Sequence, residues 1–283
     1  MSKPNLARIF AAVGAAFIAI QLWGYVGWLL SDEFVAHDTV APLPPDIADS
    51  VQRAELVQVV GAVLWLAFLV VTTVRRKQLT WPLALTLVWV TVYWQDPLVN
   101  LVDPVFAYNA EFVDRGDWTR YLPFVPDSAP GLDQPLLMQP LAFAWLIPAV
   151  GAATYGLLRL LSRWVRQPVV LVLIAWAAVA LFESVFELQG VDQGLLAWRH
   201  VTPGLSLSAG EANQWPVYEG VLLGLVWALP GIVLFFRDRL PKVRPVVGLL
   251  AASGALNAAF LAYNVVLIWL ASSVAAPLDP WFG

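Results

Sequence analysis

The chain has 283 residues, of which 60% are apolar and 13% charged, with a mean hydropathy of +0.71. Soluble domains hold about 45–50% apolar and about 25% charged residues, so this composition excludes them and reads as an integral membrane protein. The net charge of −4 offers no basic surplus for nucleic acid, the lack of cysteine removes disulfides, thiolate metal sites and iron–sulfur clusters, and two histidines, His37 and His200, exclude most imidazole metal sites.

Seven apolar runs follow in chain order, over approximately 6–30, 54–74, 80–102, 136–160, 168–187, 217–236 and 246–271. A helix needs ~20 such residues to cross about 30 Å of hydrocarbon. The first run continues into Leu-Leu-Ser-Asp-Glu-Phe without a small-residue cleavage site, so a retained helix is expected. The third is clearly apolar only from Leu79 to Trp94. To span, it must continue through the segment 95–102, kinked at Pro97. The expected fold is all-α: a bundle of seven transmembrane helices in a single polytopic domain, 1–283, with no internal repeat.

Charge orients the bundle. With the N-terminus cytoplasmic, the inner segments hold Lys3, Arg8, Arg75, Arg76, Lys77, Arg159, Arg163, Arg166, Arg237, Arg239, Lys242 and Arg244, which is 12 of the 16 basic residues. Arg53, Arg115, Arg120 and Arg199 lie outside. The excess of positive charge inside predicts N-in, C-out. Asp238 alone of the 20 acids falls in an inner loop. The inner loops are short, whereas the outer segments, approximately 31–53, 103–135 and 188–216, have the length of binding loops or lids. They are expected to cap a polar cavity.

An ionised side chain near the bilayer centre costs roughly 2.5–3.5 kcal/mol, so an acid within an apolar run needs a reason. Glu55, Asp96, Glu183, Glu187 and Glu219 all map to the outer half, which suggests one shared site. Asp96, Asn100 and Asp103 are spaced i, i+4, i+7 and would form one polar stripe on a continuous helix. The competing reading ends that helix at Asp96, because a residue before proline disfavours the α region. Glu183 and Glu187 share a face at i, i+4, and one protonated and one ionised carboxyl is what acid and base work requires. Solvation at a frayed helix end is the alternative. Glu219 sits near the start of the sixth run, where helix capping competes with a catalytic role. Gly220 and Gly224 form a G-x-x-x-G pair suited to helix packing. Trp94, Trp118, Trp198 and Trp215 stand near these acids, where they could anchor at the interface or stabilise a cation. The histidines read as solvated loop residues. A carboxylate-only Mg²⁺ or Ca²⁺ site stays open on composition, although no Asp-Asp-x-x-Asp cluster, phosphate loop or hydrolase signature supports a metal or nucleotide.

The blocks 93–100 (YWQDPLVN), 106–113 (FAYNAEFV), 115–123 (RGDWTRYLP), 182–190 (FESVFELQG) and 213–220 (NQWPVYEG) resemble, in order and spacing, the AveC-like spirocyclase family. The resemblance covers roughly 85–240. Matching positions are Trp94, Asp96, Pro97, Asn100, Phe106, Tyr108, Asn109, Gly116, Trp118, Pro216, Tyr218 and Glu219. Asp114, Asp117 and Glu187 depart from the family pattern. The resemblance implies spiroketal formation on a polyketide-like dihydroxy-ketone with loss of water. An integral protein of the bacterial plasma membrane is expected, and the long outer segments and the placement of the acids put its site toward the outer face. The resemblance assigns no catalytic roles; from their outer-half position and spacing, Asp96, Glu219, Glu183 and Glu187 are the candidate acid–base residues. Trp94, Asn100, Tyr108, Asn109, Trp118, Trp215 and Tyr218 are the candidate substrate contacts. No cofactor and no metal are expected; the expected partners are a hydrophobic small molecule and the lipid bilayer. Competing readings are a membrane-bound terpene- or epoxide-type cyclase, a proton- or cation-coupled transporter, and a structural protein without chemistry.

Overall fold

The computed structural model describes residues 3–35, 42–126, 132, 134–240, 242–271 and 274–282. His37 lies outside the described residues. The helices are α1 (Lys3–Leu29), α2 (Pro45–Arg76), α3 (Trp81–Val90), α4 (Gln139–Leu161), α5 (Pro168–Asp192), α6 (Val217–Phe235) and α7 (Pro245–Leu270). Proline opens several of them: Pro45, Pro82, Pro168 and Pro245 occupy first-turn positions, where the missing N–H would have had no partner. At its other end α2 stops at Lys77, which adopts the left-handed conformation and donates its N–H to the Thr73 carbonyl.

Six of these helices, all but α3, are long and apolar enough to cross a membrane. The third run departs from expectation. Its α-helix ends at Val90 after ten residues, and a 3-10 segment, Tyr93–Asn100, follows. Pro97 has no N–H for the Tyr93 carbonyl, so a continuous α-ladder cannot pass this point. The tighter turn of about three residues also takes Asp96, Asn100 and Asp103 off a common stripe. The Asn100 Oδ1 atom accepts from the backbone N–H groups of Val105 (2.8 Å) and Phe106 (3.2 Å), and Asp103 is exposed, 3.4 Å from His200.

A polar clamp from α7 holds the 3-10 segment. Asn257 Oδ1 accepts from the Trp94 indole (3.1 Å) and from the Gln95 amide (2.6 Å), and the Gln95 carbonyl accepts from Asn264 Nδ2 (2.8 Å). These groups are buried, and pairing them avoids a penalty of about 1–3 kcal/mol for each one left alone.

Small residues set the closest helix contacts, as expected where lipid supplies no hydrophobic drive between helices. α1 packs on α7 through Gly14 and Gly254, where a Cβ on Gly254 would lie 2.7 Å from the Gly14 nitrogen. α5 packs on α6 through Gly220 and Gly224. A Cβ on Gly224 would stand 2.7 Å from the Ala180 nitrogen, and one on Gly220 would stand 2.7 Å from Glu183 Oε2.

The bundle has two distinct ends. At one, Arg237 lies 5.0 Å over the Trp81 ring and donates to the Tyr155 hydroxyl at 3.2 Å, gathering the start of α3 with the ends of α4 and α6. At the other, the long connections form short ribbons rather than pure coil. Strands β1 (Phe106–Tyr108), β2 (Leu196–Trp198), β3 (His200–Val201), β4 (Ser206–Leu207), β5 (Trp215–Pro216) and β6 (Val274–Ala275) pair antiparallel as β1 with β2, β3 with β6 and β4 with β5. The fold is therefore mostly helical, with this small β-layer closing one end.

Candidate active site

A cavity of about 610 Å³ lies beneath the β-layer, within the ~300–1,000 Å³ usual for small-molecule sites. Its walls are largely apolar and aromatic, from Phe106, Phe143, Trp198, Trp227 and Phe260. Inside α4 a π-helical turn, Ala142–Leu146, directs Ala142, Phe143 and Leu146 to the cavity. Such turns insert an extra residue into the ladder and recur at functional sites.

Three acids line this cavity, and each is held by one donor from another element. Asp96 Oδ2 accepts from the Tyr108 hydroxyl at 2.8 Å. Glu187 Oε1 accepts from the Trp198 indole at 2.8 Å. Glu219 Oε1 accepts from the Tyr263 hydroxyl at 3.1 Å. The β1–β2 pairing, with Phe106 opposite Trp198 and Tyr108 opposite Leu196, delivers two of the three donors. Donors that engage one oxygen leave the other for a ligand and fix the carboxyl in place.

Glu183 stands behind this wall. It is 1% exposed, and its Oε2 has no hydrogen-bond partner, as is also true of Glu219 Oε2. Carboxylate oxygens of Glu183, Glu187 and Glu219 lie within 4.8 Å of one another. The cause is local. The i, i+4 spacing puts Glu183 and Glu187 on the face of α5 that meets Gly220, and Glu219 is the neighbour of that glycine. Three hard oxygen donors so arranged could also hold a divalent cation.

Asp96 lies in the 3-10 segment, outside the six crossing helices. Burial pushes its carboxyl up to about 7, against the lowering effect of the Tyr108 hydrogen bond. Burial likewise raises the Tyr108 phenol, with the Asp96 charge adding to it, so Tyr108 stays a donor at neutral pH.

The structure distributes the remaining expected residues as follows. Of the seven candidate contacts, Tyr108 lines the cavity. Trp94 is occupied by Asn257 and packs on Phe17, and Asn100 caps the turn into β1. Asn109 ties its loop down, donating from Nδ2 to the Gly194 carbonyl at 2.7 Å. Trp118 packs against Tyr25, Trp28 and Tyr93, while Trp215 and Tyr218 are buried in the core. Glu55 is separate from the other four acids: its Oε1 accepts from the Val113 N–H at 2.8 Å. Asp114 and Asp117 accept from the Gly116 and Thr119 backbone N–H groups and shape their turns. The His200 ring lies 2.9 Å from the Pro104 carbonyl, through Nδ1.

Sequence reasoning missed the contribution of α7. Phe260, Tyr263, Asn264 and Leu267 all line the cavity. Their i, i+3, i+4, i+7 spacing, with two polar members in an apolar run, was the available signal. Arg53 and Trp227 are further cavity residues outside the expected set, and Trp198, one of the four tryptophans expected near the acids, lines the cavity as well.

A family model described as "Spirocyclase AveC-like" matches residues 74–281, well over half of the chain. It extends beyond the expected stretch at both ends and takes in all of α7. No curated protein and no solved structure matches the chain.

Proposed function

The chain belongs to the AveC-like spirocyclase family, and from that premise we propose that it closes a spiroketal from a dihydroxy-ketone by carboxyl acid–base catalysis inside the bilayer. The observation that carries this reading is the single apolar cavity into which Asp96, Glu187 and Glu219 project from three different elements, each steadied by one donor.

The reaction balances without a redox partner. One substrate hydroxyl adds to the ketone carbon to give a hemiketal. A carboxylic acid, assigned to Asp96, protonates the hemiketal hydroxyl, which departs as water. The second hydroxyl attacks the oxocarbenium carbon, and its proton passes to a carboxylate, assigned to Glu219. The proton gained by Glu219 returns to Asp96 between turnovers. The three clustered glutamates cannot all ionise at this spacing, so one carboxylate among them faces the cation as it develops while its neighbours stay protonated and hydrogen-bond to it. Aromatic walls contribute cation–π attraction of about 0.5–2 kcal/mol per well-placed ring and keep bulk water from the cation. The apolar enclosure also folds a flexible chain toward its own carbonyl, converting a loose encounter into a held one.

The basic end of the bundle is assigned to the cytoplasm and the cavity to the outer half of the membrane. The aromatic walls equally suit a cyclase that protonates an alkene or epoxide. Incubating the purified protein in lipid nanodiscs with a synthetic dihydroxy-ketone and following the product by mass and NMR tests the assignment. Loss of one water with formation of a single spiro stereoisomer is expected. An unchanged substrate, together with cyclisation of a prenyl epoxide, would transfer the site to the second reading.

A further inference from the structure

We propose that Arg53 is an anion anchor at the cavity, and that the substrate is an amphipathic acid whose carboxylate docks on this guanidinium while its apolar chain runs to the acid wall. The proposal deepens the reading of this cavity as the substrate site and rests on it.

Among the described residues, Arg53 is the one cation that lines a cavity whose other charged groups are Asp96, Glu187 and Glu219. Its placement follows from helical spacing. Ser50, Arg53, Ala54 and Val57 stand at i, i+3, i+4 and i+7 on α2, and all four line the cavity. The charge is therefore presented by the same face that forms the wall.

The guanidinium is held but not neutralised. Nε donates to the Asp49 carbonyl at 3.1 Å, and Nη2 donates to Ser50 Oγ at 3.1 Å. Both acceptors are uncharged, and among the described residues no ion pair joins Arg53 to a carboxylate. Arginine carries five N–H donors in a planar fork, so three are left to receive a ligand. A carboxylate matches that fork with two parallel hydrogen bonds, whereas an ester or alcohol cannot supply the charge. The acid wall comes from the 3-10 segment, α5 and α6, so a ligand anchored on α2 meets the reacting groups at another point along its length.

The family model begins at residue 74, beyond Arg53. The wall that carries the anchor thus lies outside the segment shared with the family, while the three cavity acids lie within it. A residue so placed suits choice of substrate rather than the common reaction.

The test is binding of cis-parinaric acid and of its methyl ester to the full chain in zwitterionic nanodiscs, read by energy transfer from tryptophan, with empty nanodiscs defining simple partition. The wild type is expected to bind the acid saturably and about tenfold more tightly than the ester, equivalent to roughly 1.4 kcal/mol. Arg53→Gln should reduce that preference to less than about twofold, and Arg53→Lys, which keeps the charge but loses the fork, should retain part of it. Equal affinity for acid and ester in the wild type overturns the proposal before any variant is made, as does binding that never saturates. Retention of the full preference by folded Arg53→Gln overturns it as well. The two readings separate cleanly. Acid preference in a protein that cyclises no dihydroxy-ketone removes the cyclase reading alone. Turnover with equal acid and ester binding removes the anchor alone.

Discussion

The Tyr108 hydroxyl donates to Asp96 Oδ2 at 2.8 Å, joining strand β1 to the 3-10 segment across one wall of the cavity. Tyr108 thereby does two things. It fixes which oxygen of Asp96 is free, and it partly offsets the effect of burial on that carboxyl.

A carboxyl held near 7 has consequences on both sides of its titration. The ordinary value is 3.8, so between about pH 4 and pH 7 the folded chain keeps a proton that the unfolded chain has released. Stability contributed by this group is therefore full below pH 4, falls as pH rises to 7 and is flat above. Asp96→Asn should lack that portion of the decline, measured as melting temperature against pH. As proton donor, Asp96 should also make kcat/KM fall above about pH 7. Tyr108→Phe removes the hydrogen bond that lowers Asp96, so this inflection should move to higher pH. A downward move would contradict the assigned geometry.

Asp96→Asn and Glu219→Gln keep shape and remove the titrating group. Each should lower turnover by roughly 10²–10⁴-fold, the range for losing a general acid or base. Neither substitution should lower the melting temperature: Asp96→Asn should match wild type near pH 4 and exceed it at neutral pH. Glu55→Gln, away from the cavity, should be nearly silent. Near-full activity in folded Asp96→Asn and Glu219→Gln would shift the chemistry to Glu183 and Glu187.

Packing at Gly220 controls the site through a contact rather than through charge. A methyl group there meets Ser184 and Glu183, so Gly220→Ala should part α5 from α6, disperse the three glutamates and reduce activity about as much as a carboxyl loss. Gly156 has open space around its Cβ direction, and Gly156→Ala should leave both activity and melting temperature unchanged or slightly raised. Equal tolerance at both glycines, in a detergent melting assay, would argue against the close α5–α6 approach.

The three glutamates also allow a test of metal dependence. Turnover is expected to survive prolonged dialysis against EDTA. Loss of activity restored by Mg²⁺ or Ca²⁺ would instead assign Glu183, Glu187 and Glu219 to a cation.

Reporter fusions check the orientation. Fusions after Lys77, Arg166 and Lys242 should read cytoplasmic, and one at Ala209 should read external. An external signal at Arg166 would invert the map and place the cavity in the inner half.

Composition alone determined that the chain is built for a membrane, because 60% apolar residues in long runs cannot be hidden inside a soluble domain of this size. Order and spacing of the blocks around Asp96 and Glu219 determined the family. The i, i+4 placement of Glu183 and Glu187 was legible because helix geometry is local. What joins those glutamates to Glu219 was not: it depends on how closely Gly220 lets α5 approach α6. The tertiary structure also decided the third run. A continuous kinked helix and a 3-10 segment are both compatible with Pro97, and the choice rests on Asn257 and Asn264, more than 160 positions away, which capture Trp94 and Gln95. The partners of the acids were equally hidden. Tyr108, Trp198 and Tyr263 come from three separate segments, and a hydrogen bond between residues distant in the chain leaves no period for a sequence to display.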